Sequence, residues 1–221
     1  MLTRINRAVA SKIEALIDRS IRRSLQQALD ADTLNIARHM QRRALEETAV
    51  FVEQHMTCTP FYDDKFELLE AAIQVAPKTG LVCEFGVAGG ETVNFIASKV
   101  DDITYGFDSF EGLPEDWVGG LKKKAFKQEA LPRIRANVRL VKGLFQEALP
   151  PFVKEHTGPC AFVHIDCDLF SSTETVFRHL GAQIIPGTVI VFDEFFNYPG
   201  WKQGEHQAFT DFIAASRGAF E

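Results

Sequence analysis

From residue 61 onward, short apolar runs alternate with stretches of helical periodicity, and few folds accept that alternation. Strands are expected at 81–86, 103–107, 138–142, 160–166 and 188–193, with helices at 90–100, 144–155, 172–182 and 204–216. A helix, "DDKFELLEAAIQVAP", leads in and stops at Pro77 and Gly80. Strands joined through helices run parallel by right-handed crossovers, and the helices then cover both faces of one sheet. The expected fold class is α/β, a doubly wound and mostly parallel sheet. A chain of 221 residues with 46% hydrophobic content closes one good-sized core of this kind.

Residues 1–60 read differently, as a helical extension ahead of a domain at 61–221. Leu2, Ile5, Val9, Ile13, Leu16, Ile17, Ile21 and Leu25 fall near helical spacing, with Arg4, Arg7, Lys12, Arg19, Arg22 and Arg23 largely elsewhere on the wheel. Such a basic amphipathic helix packs on its own domain or on a second copy, or lies on a membrane surface. Its apolar face is aliphatic, without Trp or Phe, which favours packing and a homo-oligomer joined through these helices. A second helix, "DTLNIARHMQRRALEETAVFVEQHM", follows Asp30 and Asp32 as candidate caps.

No apolar run reaches membrane-spanning length, and the N-terminus lacks the apolar centre and cleavage site of a signal peptide, so a cytoplasmic protein is expected. Cys58, Cys83, Cys160 and Cys167 form no CxxC pair and no metal-ligand spacing; they read as reduced thiols. A net charge of −6 disfavours a broad nucleic-acid surface and points to a small-molecule or protein partner. The irregular stretch 109–137 carries Gly, Pro and charge in the manner of a lid or binding loop, and its run Lys122 to Lys124 reads as a solvated face.

In an open parallel sheet, ligands bind beyond the carboxyl ends of the strands. The first such end is "CEFGVAGGET", in which Gly86, Gly89 and Gly90 allow a tight turn and a close approach of ligand to backbone. Its spacing is neither the dinucleotide fingerprint nor a P-loop. Glu84 just before the turn opposes phosphate and favours a cationic or hydroxyl-bearing group. The next strand ends in Asp108, followed by Ser109, at about the offset where a Rossmann-like domain holds ribose hydroxyls. A nucleoside with a positive end and no diphosphate suits this pattern, and S-adenosylmethionine is such a molecule. Taken singly, the glycine turn also fits tight packing alone, and Asp108 with Ser109 also fits a helix cap.

Two later strand ends add acids. "CAFVHIDCD" brings Asp166 and Asp168, and "TVIVFDEFF" brings Asp193 and Glu194, so adjacent parallel strands deliver them to one rim. Unrelieved, such carboxylates repel, and a hard cation such as Mg²⁺ relieves them. Asp166, Asp193 and Glu194 form the expected metal set; Asp168, Ser171 and Ser172 also precede a helix as candidate caps.

The segments "EFGVAGGET", "YGFDSFEGLPE", "HIDCDLFSST" and "PGTVIVFDEFF" resemble the macrocin O-methyltransferase family of class I S-adenosylmethionine-dependent methyltransferases over residues 61–215. The resemblance implies methylation of a sugar or phenol hydroxyl with Mg²⁺ beside the acceptor. It implies that Glu84 and Gly86 line the cofactor pocket, that Asp108 holds the ribose, and that Asp166, Asp193 and Glu194 ligate the metal. The family has Asp where this chain has Glu194. Candidate general bases are His164, His206 and Asp168; His164 reads as a core histidine, whereas His206 follows the last strand in a loop bordering the cleft. Tyr198 and Trp201 in that loop are candidates for stacking on the acceptor, and Phe195 and Phe196 for packing.

The family closes its sheet with a hairpin after the last helix, where this chain ends at "ASRGAFE". Either the sequence stops short of that hairpin, or the sheet edge is covered by the N-terminal helices or another subunit. Two other readings compete: a metal-dependent nucleotide-sugar glycosyltransferase, for which Asp166-Cys167-Asp168 supplies a D-x-D pair, and a non-catalytic scaffold.

Overall fold

The computed structural model describes residues 16–27, 33 and 35–216. Residues 16–27 are helical (α1) and exposed throughout, whereas the expected helical positions before 16 and the candidate caps Asp30 and Asp32 lie outside the described residues. Helix α2, Ile36–His55, is instead capped by Asn35, whose side chain accepts from the Arg38 N–H at 3.1 Å. Then follow α3 (Lys65–Val75), β1 (Leu81–Phe85), α4 (Glu91–Lys99), β2 (Thr104–Asp108), β3 (Val138–Lys142) and α5 (Phe145–Glu155). The chain continues with β4 (Cys160–Ile165), α6 (Phe170–Leu180), β5 (Val189–Phe192) and α7 (Glu205–Ser216). Every expected strand and helix of the domain is present, with ends displaced by one or two residues.

The five strands lie in the order β3-β2-β1-β4-β5, all parallel, which is a Rossmann-like doubly wound sheet. Strand order reverses between β1 and β4, so a crevice opens at their carboxyl ends. Side chains of a strand alternate between faces, and the two faces of β1 feed two cores. Cys83 and Phe85 join Phe107, Val163 and Ile165 under α5 and α6. Val82 joins Phe162 and Val191 under Leu69 and Ile73 of α3 and Ile96 of α4. The central strands β1 and β4 are buried on both faces, and the apolar runs are interrupted only by Glu84 and His164, which face each other across the pair.

The segment 109–137 contains only a 3₁₀ turn at Val118–Gly120 and is tied down along its length. The Leu113 N–H donates to Ala125 O at 2.9 Å, and the Asn94 side chain bonds Arg133 O and the Arg135 N–H, both at 2.8 Å. Helix α2 seats on the loop after β5. Thr48 Oγ1 accepts from the Asn197 N–H at 3.0 Å, and the Phe51 ring meets Phe195, Phe196 and Trp201. Among the described residues no strand follows β5, which pairs only with β4. No helix among them is long and apolar enough to cross a membrane. Cys83, Cys160 and Cys167 are buried free thiols, and Cys58 is an exposed one.

Candidate active site

The turn after β1 is shaped by its neighbours. Gly86 has φ +94°, its N–H donates to Phe107 O at 2.9 Å, and a Cβ there would land on the carbonyl oxygen of Asp166. Glycine is demanded by the end of β4 passing underneath. Gly90, at φ +82°, is the N-cap of α4 with Pro132 against it, while Gly89 has open space around it.

Asp108 then locks the turn from the end of β2. Its Oδ2 accepts from the Val87 and Ala88 N–H groups at 2.8 and 2.9 Å, and its Oδ1 accepts from the Phe110 N–H at 2.6 Å. A carboxylate offers about four acceptor positions, so about one remains for a ligand.

The ends of β4 and β5 carry the acids. One oxygen from each of Asp166, Asp193 and Glu194 lies within 4.8 Å of the others, a spacing that suits one cation. Burial, with Asp193 beside it, pushes the Asp166 carboxyl up to about 7, and the same causes push Asp168 to about 6. Burial, then Asp168, Asp193 and Glu205, push Glu194 up to about 10. Glu194 Oε2 is buried without a hydrogen-bond partner, so it is open to a cation or a proton. Asp168 has φ +64° and makes no cap bond to α6, whose N-cap is Leu169. Ser171, a second of the three candidate caps, donates instead to Glu115 Oε1 at 2.6 Å and so ties the loop of 109–137 to α6.

These groups face one cavity of about 570 Å³ over the carboxyl ends of the strands. Gly86, Asp108 and Ser109 line it from β1 and β2, and Phe145 and Gln146 from the start of α5. Asp166, Asp168, Asp193 and Glu194 form its acidic end, and Leu113, Glu115 and Phe126 of the long loop form a wall. The family model described as "Methyltransferase domain" matches residues 83–195, the stretch that supplies all of this cavity's lining except Lys65.

The chain belongs to this methyltransferase-domain family.

Among solved structures it is similar to the calicheamicin methyltransferase CalS11, at 21% identity over 71% of this chain and 72% of that one, with a TM-score of 0.57. The O-methyltransferase NovP matches at 20% identity over 71% and 74%, with a TM-score of 0.53. An apo structure of CalS11, described as a TDP-rhamnose 3′-O-methyltransferase, matches at 21% identity over 71% and 72%, with a TM-score of 0.50. At these identities the likeness shows a shared fold. No curated protein matches the chain.

Within the methyltransferase domain, seven of the residues expected to serve catalysis, cofactor or metal line the cavity: Gly86, Asp108, Ser109, Asp166, Asp168, Asp193 and Glu194. Glu84, Gly89 and Gly90 are not in its lining. Glu84 is 0% exposed in β1, opposite His164 in the register of β4, and its Oε1 meets His164 Nδ1 at 3.0 Å. Burial pulls the His164 pKa down, but the bond to Glu84 and the charges of Glu84, Asp166 and Asp193 outweigh it and leave it raised. The pair also stands with Asp166 in a second group of metal-ligand spacing.

His206 likewise lies outside the lining, with its ring among Phe51, Phe195 and Trp201. Burial, then Lys202 and His55, lower its pKa. Trp201 is 1% exposed, so it packs the core of this loop and offers no face to an acceptor. Phe195 and Phe196 pack as expected.

Sequence reasoning missed Glu205. It is 0% exposed at the start of α7, and its carboxyl accepts from the backbone N–H groups of Cys167 and Glu194, joining the two acidic strand ends. An acid in a first helical turn is ordinary dipole chemistry, so nothing local marked it. Lys65 was missed too; it stands in the first turn of α3 and lines the cavity.

Proposed function

We propose that the chain is an S-adenosylmethionine-dependent O-methyltransferase that methylates a hydroxyl of a sugar, glycoside or phenolic small molecule with Mg²⁺ at the acidic rim. On the same reading it is a member of the macrocin O-methyltransferase family. One observation carries this: a single cavity is lined both by the Gly86 turn with Asp108 and by Asp166, Asp193 and Glu194. Bound S-adenosylmethionine supplies a methyl group on cationic sulfur, and bound Mg²⁺ supplies a Lewis acid that positions hydroxyls and lowers their pKa.

The residues divide that work. Gly86 leaves the backbone open to a nucleoside, and Asp108 offers its free acceptor position to a ribose hydroxyl. The rim acids fit a hard cation because they are oxygen donors whose mutual repulsion it relieves. Asp168, beside that rim and pushed up to about 6, takes the acceptor hydroxyl's proton as the oxygen becomes an ether. Leu113, Pro114 and Phe126 supply apolar wall that keeps water from the reacting atoms. The TDP-rhamnose 3′-O-methyltransferase activity of CalS11 is consistent with this acceptor class.

The test is calorimetric titration with S-adenosylhomocysteine, with and without Mg²⁺, followed by labelled methyl transfer to a panel of nucleotide sugars, glycosides and catechols. Binding followed by Mg²⁺-dependent label transfer to a hydroxyl bears the reading out. A folded protein that binds nucleotide sugars but no S-adenosyl compound refutes it.

A further inference from the structure

The cavity is charged almost entirely in one sense. Asp108, Glu115, Asp166, Asp168, Asp193 and Glu194 line it, and Lys65 is the only cation among the described lining residues. An S-adenosyl compound carries a carboxylate at its amino-acid end, and the ionised acids among these six repel that group from much of such a wall. A cationic position near the turn after β1 would offset that repulsion.

Lys65 occupies that position. Its backbone is held in the first turn of α3 by Asp64, whose Oδ1 accepts from the Phe66 N–H at 2.6 Å and the Glu67 N–H at 3.3 Å. The Phe66 ring packs on Phe95 of α4 with centroids 4.8 Å apart, which fixes α3 against the helix that leaves the glycine turn. The ammonium lies 4.0 Å from Glu91 Oε2, and Glu91 is the first residue of α4, directly after that turn. That contact is long, and the two side chains are 47% and 74% exposed, so it binds the ammonium weakly. A ligand carboxylate in the cavity that Lys65 lines with Gly86 and Ala88 can compete with it by accepting a charge-assisted hydrogen bond from the Lys65 Nζ.

We infer that Lys65 is a cofactor-binding residue that receives the amino-acid carboxylate of an S-adenosyl ligand. The inference rests on the methyltransferase reading above, and the experiment separates the two. Wild type, Lys65→Met and Lys65→Arg are titrated with S-adenosylhomocysteine and with 5′-methylthioadenosine, which keeps the nucleoside and thioether but lacks the amino-acid end.

Lys65→Met is expected to weaken S-adenosylhomocysteine about tenfold, the loss of one partly solvated charged hydrogen bond, and to leave 5′-methylthioadenosine within about twofold. Lys65→Arg is expected to restore most of the loss. Undiminished S-adenosylhomocysteine binding by Lys65→Met overturns the assignment of Lys65 alone. An equal loss for both ligands, or a lowered Tm in Lys65→Met, also overturns it, since the side chain then acts on the fold. A wild-type protein that binds neither nucleoside overturns the methyltransferase reading and this inference with it.

Discussion

Magnesium binding at the proposed rim is expected to expel protons, and the number is set by the structure. Metal ligation requires ionised carboxylates. At pH 7 Asp166, pushed up to about 7, is half protonated, and Glu194, pushed up to about 10, holds its proton. Ligation by both then releases about one and a half protons per ion at pH 7. Mg²⁺ affinity should accordingly fall roughly thirtyfold for each unit of acidification near neutrality. The assay is calorimetric titration of Mg²⁺ in buffers of different ionisation enthalpy, whose slope counts protons directly.

The sign extends to stability. These carboxyls titrate above their ordinary values, so the folded state holds protons that the unfolded chain gives up. The stabilisation is present in full below the ordinary carboxylate range and is lost as pH rises through about 6 to 10. Without metal, Tm should therefore fall as pH is raised from 5 to 8, and Mg²⁺ should reverse the fall. Mg²⁺ binding with no proton release in any buffer, or a metal-free Tm that rises over this range, would refute the electrostatic argument.

Three further outcomes are expected. Gly86→Ala places a methyl group on the Asp166 carbonyl and should abolish nucleoside binding with a loss of more than about 2 kcal/mol of stability, read by urea unfolding. Asp108→Asn keeps one acceptor oxygen, which the two N–H groups of Val87 and Ala88 claim, and sets its NH2 against the Phe110 N–H, so nucleoside affinity should fall more than one lost hydroxyl bond explains and the Phe110 amide should exchange faster with deuterium; unchanged exchange at all three amides would show that Asp108 does not hold the turn. If the exposed apolar residues Leu16, Ile17, Ile21 and Leu25 of α1 join copies of the chain, Ile17→Glu with Ile21→Glu should reduce the mass measured by light scattering to that of one chain, and a wild type already monomeric at assay concentration would exclude that role.

Much of this protein was legible without coordinates because its signals are local. The alternation of apolar runs and 3.6-residue periods states which faces are buried, and in a parallel sheet that is enough to place the strand ends on one rim. Asp108, Asp166, Asp193 and Glu194 were found for that reason: each sits where a strand stops. His206 and Trp201 show the limit. Their loop does border the strand ends, but Phe51 arrives from α2, 150 residues away in the chain, and folds both rings into an aromatic cluster.

The glycine turn, the alternation of strands with helices and the gathering of acids at strand ends were thus determined by the sequence itself, through local backbone freedom and burial periodicity. Tertiary structure alone decided the rest. It turned Glu84 onto His164 across the sheet, committed most of the Asp108 acceptor capacity to the backbone, tied two strand ends together with a buried Glu205, and set Lys65 against an acidic wall. In each case two groups far apart in sequence meet where water is scarce, so each partner decides the other's charge and hydrogen bonds. No local pattern in the chain encodes such a meeting.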